Sequence, residues 1–399
     1  MILVLQTTTF GVHGGIPAYN RMVCRALNDL SDPNLDSERR VLIATDRRAD
    51  AEYPSQSFSN LSFEVFGGNR SAFARSVIAS VLRQRVDLLL IGHVNYSPLG
   101  MVLKVLRPSL RYGVMVHGVE VWTRLTLLKR WALQRADFVM AVSEFTKAKV
   151  VEFNGVEEGR IRIVPDTMGW TVDSDEDGTG NAERKIDTLL TRLGKPTATL
   201  LLSVCRLEAS EKYKGIDTVI NALPSVIARV PDVQYLVVGS GSDLERHNQL
   251  AADLGVADRV HFLGSVDEAT LRQYYRAADV FILPSDGEGF GIVYLEAMHY
   301  AKPVIAADSR AVPEVVKHND TGLLVEYGNR GQLAEAITSL CLDRSLRERM
   351  GEAGRRRLRE KFSFESFKQK LHELILQELQ IPLPLAQRTI ARGVASADL

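Results

Sequence analysis

Short, continuous apolar runs recur along this chain with amphipathic segments between them, and this rhythm constrains the fold more than any other feature. The runs Ile2–Leu5, Arg39–Thr45, Val86–Gly92, Arg111–Gly118 and Ala136–Ser143 alternate with helical patterns such as Pro17–Leu30, Ala72–Arg85 and Glu144–Phe153. A strand with one wet face alternates apolar and polar residues; an unbroken apolar run belongs to a strand covered on both faces, as in a parallel doubly wound sheet. After an acidic, glycine-bearing stretch at 173–184 the rhythm restarts with Thr199–Val204, Val233–Gly239, Val260–Gly264, Asp279–Pro284 and Lys302–Asp308. A chain of 399 residues is long enough for two domains. The reading is therefore α/β, with two Rossmann-like doubly wound domains, 1–190 and 191–362, facing across a cleft. A helix over 363–380, with Phe364, Phe367, Leu371 and Ile375 at helical spacing, is expected to pack back on the first domain, and 381–399 to form a frayed tail.

Charge and cysteine usage exclude several classes. With 49 basic and 49 acidic residues the net charge is zero, so no global field argues for nucleic acid. The three cysteines, Cys24, Cys205 and Cys341, are far apart in apolar surroundings, which suits buried thiols in a reducing compartment rather than a disulfide framework or a metal motif. The first ten residues lack a basic leader, and no run of about eighteen apolar residues occurs. The expected location is cytoplasmic, at most peripheral at the inner face of the cell membrane.

Open parallel sheets bind ligands at the carboxyl ends of their strands, so the post-strand loops are where chemistry is sought. In "PSDGEGFGIVYLEAM", Pro284–Met298, a glycine-broken turn carries Glu288, and the helix behind it carries Glu296 in apolar company. The turn Glu288, Gly289, Phe290, Gly291 offers backbone N–H groups at a helix start, a place that attracts phosphate, although a plain glycine turn explains the spacing equally well. Glu296 needs a partner for its carboxylate, which a ribose diol would supply. Arg206 and Lys214, on the loop after the first strand of the second half, are a cation pair able to neutralise a diphosphate; a solvated helix start is the alternative. Gly239 and Gly241 begin a dinucleotide fingerprint, but Leu244 stands where the third glycine belongs, so a tight turn is the better reading. In the first half, Gly14 and Gly15 after His13 would let backbone approach a ligand, and His117 ends a strand at the edge where ligands bind.

Taken in order, these segments resemble the GT-B glycosyltransferases of family 4, a retaining family that uses nucleotide-sugars; the likeness covers about residues 1–380. Its most specific element is the E-x7-E motif, matched by Glu288 and Glu296. The resemblance implies that Glu296 holds the donor ribose and Glu288 faces the sugar hydroxyls. It implies that Arg206 and Lys214 bind the diphosphate, with Lys212 a rival for Lys214, and that Gly14 and Gly15 form the glycine loop near the phosphates. His117 would lie beside the donor sugar, Gly264 near the base, and Glu120 on the acceptor side. Catalytic roles would thus fall to His117, Glu288, Arg206 and Lys214. A UDP- or GDP-sugar would be the donor and a saccharide or lipid-linked saccharide the acceptor, with no cofactor and no metal. Rival readings are a nucleotide-sugar epimerase of the same fold and a non-catalytic nucleotide-sugar binding protein.

The basic residues are not evenly spread. Between Arg70 and Arg135 eleven basic residues face two acidic ones, Asp87 and Glu120, and Thr123–Arg135 mixes Leu125, Leu128 and Trp131 with Arg124, Lys129 and Arg130. Segment 70–135 is therefore a candidate for peripheral contact with anionic membrane. A buried helix whose leucines and tryptophan face the sheet is the alternative.

Overall fold

A computed structural model describes residues 1–12, 14–30, 38–50, 57–168, 187–193 and 197–381. His13, the acidic stretch 173–184 and the tail from 382 lie outside the described residues. The chain divides into two compact units, Met1–Gly169 with Phe364–Leu399, and Trp170–Ser363.

Unit 1 is a seven-stranded, fully parallel sheet. Its strands are β1 (Ile2–Gln6), β2 (Arg39–Ile43), β3 (Ser62–Val65), β4 (Leu88–Ile91), β5 (Arg111–Val116), β6 (Phe138–Ala141) and β7 (Ile161–Ile163). They lie in the order β3-β2-β1-β4-β5-β6-β7. The helices are α1 (Gly15–Asn28), α2 (Arg70–Arg83), α3 (Ser97–Leu106), α4 (Leu127–Gln134) and α5 (Glu144–Asn154). Every residue of β1 and β4 is buried, as their unbroken apolar sequence requires. Leu5 pairs with Ile91 and Ile91 with Val114, so β1, β4 and β5 end nearly level. The chain winds one way from β1 through β3 and the other way from β4, which puts the topological switch point between β1 and β4.

Unit 2 is a six-stranded parallel sheet of β8 (Leu200–Val204), β9 (Gln234–Val238), β10 (Val260–Gly264), β11 (Val280–Leu283), β12 (Val304–Ala307) and β13 (Gly322–Val325). The order is β10-β9-β8-β11-β12-β13, with the switch between β8 and β11. Around it lie α6 (Ile216–Ile227), α7 (Leu244–Asp253), α8 (Glu268–Ala277), α9 (Ile292–His299), α10 (Val312–Val315), α11 (Arg330–Leu342) and α12 (Arg344–Lys361).

The last described helix, α13 (Phe364–Glu378), belongs to unit 1 although it follows unit 2 in sequence. Phe367, Leu371, Leu374 and Ile375 are buried, and burial of each contributes about 1.5–3 kcal/mol. Phe367 stands edge-on to Tyr19 of α1 with ring centroids 5.6 Å apart, and the His372 ring contacts the Ala26 carbonyl at 2.6 Å. An ion pair between Arg111 and Glu378 closes the far end.

Two expectations change on contact with the structure. The sheets have edge strands, β3, β7 and β13, that the apolar runs do not reveal, because they are short and largely half-exposed. Helix α4 does not turn its tryptophan inward: Ala132 and Leu133 are buried, while Leu127 is 61% and Trp131 50% exposed.

Candidate functional site

Glycines bring the two switch-point loops of unit 2 together. The loop after β8 passes through a short 3-10 stretch, Ala209–Lys214, and turns at Gly215. Gly215 sits at φ +76°, and a Cβ there would stand 2.4 Å from the Pro284 carbonyl oxygen, so a side chain would hold this loop away from the end of β11. The Asp286 N–H donates to the Tyr213 carbonyl at 2.8 Å and ties the loops. Arg310 Nε donates to the Asp286 carbonyl at 2.6 Å, and Ser309 and Arg310 both hold the Asp286 carboxylate.

With the loops closed, Lys214 Nζ donates to Glu288 Oε1 at 2.7 Å across 74 residues of sequence. The pair is largely buried, with side-chain exposures of 18% and 11%. Burial alone would lower the Lys214 pKa; the charge and hydrogen bond of Glu288 outweigh it and push the ammonium up to about 12. Lys214 is thus firmly charged at neutral pH. Its three N–H donors allow it to keep Glu288 and take a phosphate oxygen as well. Arg206, by contrast, is 67% exposed, with its guanidinium paired to the carboxylate of Glu211.

Beyond Glu288 the chain turns at Gly291, φ +95°, where a Cβ would lie 2.4 Å from the Tyr294 ring. Helix α9 then begins at Ile292, buried on most sides, which places Glu296 in the interior at 8% exposure. Tyr275 of α8 donates from Oη to Glu296 Oε2 at 2.7 Å. The Tyr275 phenol stays neutral because burial, reinforced by Glu296, raises its pKa well above the ordinary value. Phe290 turns its ring inward against Phe362, 5.3 Å between centroids, leaving its backbone N–H as the group a ligand could use. Gly264 closes β10 on the same edge of the sheet, its carbonyl accepting from the Gly239 N–H at 2.9 Å. One edge thus holds a fixed cation and two buried carboxylates, a set suited to a diphosphate flanked by hydroxyls.

Unit 1 gathers a second cluster at its own carboxyl edge. Gly14 caps α1 without a side chain, and a Cβ on Gly15 would meet nothing within 4 Å. His117, just past β5, contacts the Gly92 carbonyl at 2.9 Å through Nε2, stands edge-on to Tyr19 at 5.0 Å and lies 6.4 Å from the His93 ring. The Glu120 carboxylate accepts from the His117 backbone N–H at 2.5 Å. Asp166, three residues past β7, is 8% exposed, and its Oδ1 has no hydrogen-bond partner. Burial pushes the Asp166 pKa up to about 8, with the Glu120 charge adding to the shift.

The family model of glycosyl transferases group 1 matches residues 191–357, and that of Glycosyltransferase Family 4 matches residues 14–166. A Corynebacterium glutamicum protein named GDP-mannose-dependent monoacylated alpha-(1-6)-phosphatidylinositol monomannoside mannosyltransferase is 39% identical over 365 residues, 86% of this chain and 91% of that relative. The chain belongs to the GT-B glycosyltransferases of family 4. The Mycobacterium tuberculosis GDP-mannose-dependent alpha-(1-6)-phosphatidylinositol monomannoside mannosyltransferase is 34% identical over 270 residues, covering 65% of this chain and 68% of the relative. Anabaena HepE in complex with UDP and glucose shares the fold, with a TM-score of 0.74 and 19% identity over 94% of this chain and all of that one. This is a nucleotide-sugar glycosyltransferase.

Within that glycosyltransferase the structure brings Lys214, Glu288, Gly289, Phe290, Gly291 and Glu296 to one sheet edge in unit 2, and Gly14, Gly15, His117 and Glu120 to one edge of unit 1. Lys212, the sequence rival of Lys214, is exposed. Tyr275 and Asp166 went unnoticed in the sequence. Tyr275 could have been sought among the two adjacent tyrosines, both buried, of an amphipathic helix, whereas Asp166 carries no local signal beyond the proline before it.

Proposed function

We propose that this glycosyltransferase moves mannose, with retention of anomeric configuration, from GDP-mannose to a lipid-anchored inositol glycoside or a closely related saccharide. The observation that carries the reading is the Lys214–Glu288 pair at the switch point of unit 2, a fixed charge for phosphate beside an acid for sugar hydroxyls. The choice of guanine nucleotide and mannose rests on the names of the relatives given above.

In this reading Glu296, oriented by Tyr275, takes the ribose diol, and Arg206, Lys214 and the Phe290 N–H take the diphosphate. The bond from the sugar C1 to the diphosphate oxygen breaks while the acceptor hydroxyl oxygen bonds to C1 on the same face. The hydroxyl proton passes to the departing phosphate oxygen. The negative charge that develops there meets two cations and a helix start, so the step needs no divalent ion. Glu288 holds the sugar in line and is not a nucleophile.

The acceptor's lipid places the enzyme at a membrane surface. Helices α2, α3 and α4 pack in that order. They leave Leu82, Val102, Val105, Leu106, Leu127, Leu128 and Trp131 exposed. Arg83, Arg85 and Arg107 line a groove of about 390 Å³ with Leu82 and Leu106. Apolar side chains ringed by cations suit an anionic interface, where each basic residue contributes about 1 kcal/mol. No helix among the described residues is long and apolar enough to cross a membrane.

A thermal-shift series with GDP, UDP, GDP-mannose and UDP-glucose tests the donor. A ligand at a hundred times its Kd stabilises by about 2.7 kcal/mol, or roughly 5–11 °C in a unit of this size. Stabilisation by the guanine pair alone is expected; stabilisation by the uracil pair alone would reassign the donor.

A further inference from the structure

Asp166 belongs to the unit 1 cluster, and nothing in the reading above uses it. It follows β7 at the edge that carries His117 and Glu120, is buried, and points an oxygen that bonds to nothing. A buried polar atom without a partner costs free energy and asks for an explanation. Its surroundings sharpen the question. Glu120 of the loop after β5 acts on it electrostatically, it acts in turn on Tyr19 of α1, and the His117 ring rests against Tyr19, with His93 beyond it. Among the described residues no cation offsets this charge, so an ionised Asp166 would face Glu120 unscreened. Glu120 already spends an oxygen on the His117 backbone.

We infer that Asp166 is a positioning residue for the acceptor, hydrogen-bonding a hydroxyl of a neutral polyol, a sugar or inositol ring, at the carboxyl edge of unit 1. This rests on the glycosyl-transfer reading above and adds the residue that orients the acceptor. The unpartnered Oδ1 is filled when a hydroxyl docks. The apolar burial and the Glu120 charge keep Asp166 protonated up to about pH 8, and a protonated carboxyl donates as well as accepts, which a sugar hydroxyl can answer in both directions. Above that pH the acid ionises, loses its donor and repels nothing on an uncharged polyol, but it must then be solvated. Acceptor binding weakens for that reason while donor binding on unit 2 does not.

Steady-state transfer by the full chain is first measured with GDP-mannose, UDP-glucose and UDP-N-acetylglucosamine against phosphatidylinositol monomannoside in mixed micelles, free myo-inositol and methyl α-mannoside. The fastest pair is then carried through pH 6–9.5. If that pair is not GDP-mannose with the inositol lipid, the mannosyl-transfer reading fails and the test of Asp166 proceeds with the pair found. No turnover with any pair would overturn both. For the wild type the acceptor KM is expected to climb about tenfold above pH 8 with the donor KM flat. Asp166→Ala should raise the acceptor KM about tenfold at pH 7 and leave the GDP Kd within twofold. Asp166→Asn, which keeps an N–H donor, should restore the KM to within threefold and abolish the alkaline climb. If the alanine variant does not fold, the asparagine variant decides by its pH profile alone. An unchanged acceptor KM in the alanine variant, an equal loss of GDP affinity, or an alkaline climb that persists in the asparagine variant would overturn the assignment.

Discussion

Replacing Glu288 by Gln removes one charge from a buried pair and leaves its volume in place. Lys214 then remains at 18% side-chain exposure with an amide in place of its counter-ion. Breaking a buried pair in this way costs about 3–5 kcal/mol, because the surviving charge is uncompensated. In a unit of roughly 190 residues, each kcal/mol shifts the melting point by about 2–4 °C. The variant should therefore melt about 6–20 °C below wild type at pH 7.5. The pH dependence has a definite sign. In the wild type the folded-state pKa of Lys214 is raised above the ordinary lysine value of 10.5 to about 12, so the pair's contribution is fully present below 10.5 and is lost as pH rises through about 12. In the variant the Glu288 charge no longer outweighs burial, the largest of the remaining causes, and the Lys214 pKa falls. The folded state then releases its proton before the unfolded state does, and stability rises with pH. The gap between wild type and variant should narrow as pH rises toward the ordinary lysine value of 10.5. Lys214→Met combined with Glu288→Gln, which removes both charges, should recover most of the loss. GDP should bind the Glu288→Gln variant at least as well as wild type, since Lys214 is released to phosphate, while transfer falls about a hundredfold. Scanning calorimetry across pH and calorimetric titration with GDP check both halves. A melting point within 2 °C of wild type, or a gap that stays constant with pH, would refute the idea that this pair is a buried, mutually dependent unit.

Arg206→Ala should lower transfer about a hundredfold, the scale of losing one oxyanion donor, while wild-type activity persists in excess EDTA; strict dependence on added manganese or magnesium would sink the metal-free account. Gly291→Ala meets a left-handed backbone and a Cβ 2.4 Å from the Tyr294 ring, so a stability loss above about 1 kcal/mol and weaker GDP binding are expected, and a variant with wild-type melting and affinity would show that the helix start is not needed. Trp131→Glu should reduce sedimentation with phosphatidylglycerol vesicles without changing the GDP Kd, and wild-type binding that is equal for neutral and anionic vesicles would remove the electrostatic part of the membrane contact.

Central strands announce themselves and edge strands do not, for one physical reason. Leu88–Ile91 and Val280–Leu283 are buried on every side, so selection for apolar residues acts at each position and leaves an unbroken run. Ser62–Val65 is exposed at its first residue and half-buried at the other three, and Gly322–Val325 is half-buried in the middle, so a short polar-tinged segment suffices. The unit boundary shows a related limit. The acidic stretch 173–184 marks the neighbourhood of the change, but the return of Phe364–Glu378 to unit 1 depends on Tyr19, Ala26 and Arg111, partners some 250–350 residues upstream that no local pattern specifies.

The candidate site was legible to the extent that its residues lie close together in sequence. Glu288 and Glu296 are eight positions apart, and their loop-then-helix spacing is a local pattern. The partners that hold and orient them come from elsewhere: Lys214 from 74 residues before Glu288, and Tyr275 from the preceding helix for Glu296. A glutamate is seldom buried without a partner, so the apolar company of Glu296 in the sequence already implied a donor, though not which one. Asp166 offered no such hint: the stretch "VPDT" is too short and mixed to show burial, and only the fold, by bringing α1 and the loop after β5 against the end of β7, makes it a buried acid. Burial makes a carboxyl either a liability or a binding group. In unit 2 the liability of Glu288 is met inside the protein by the Lys214 ammonium, before any ligand arrives. In unit 1 it is met by nothing among the described residues, so the acid stays protonated until a partner comes from outside.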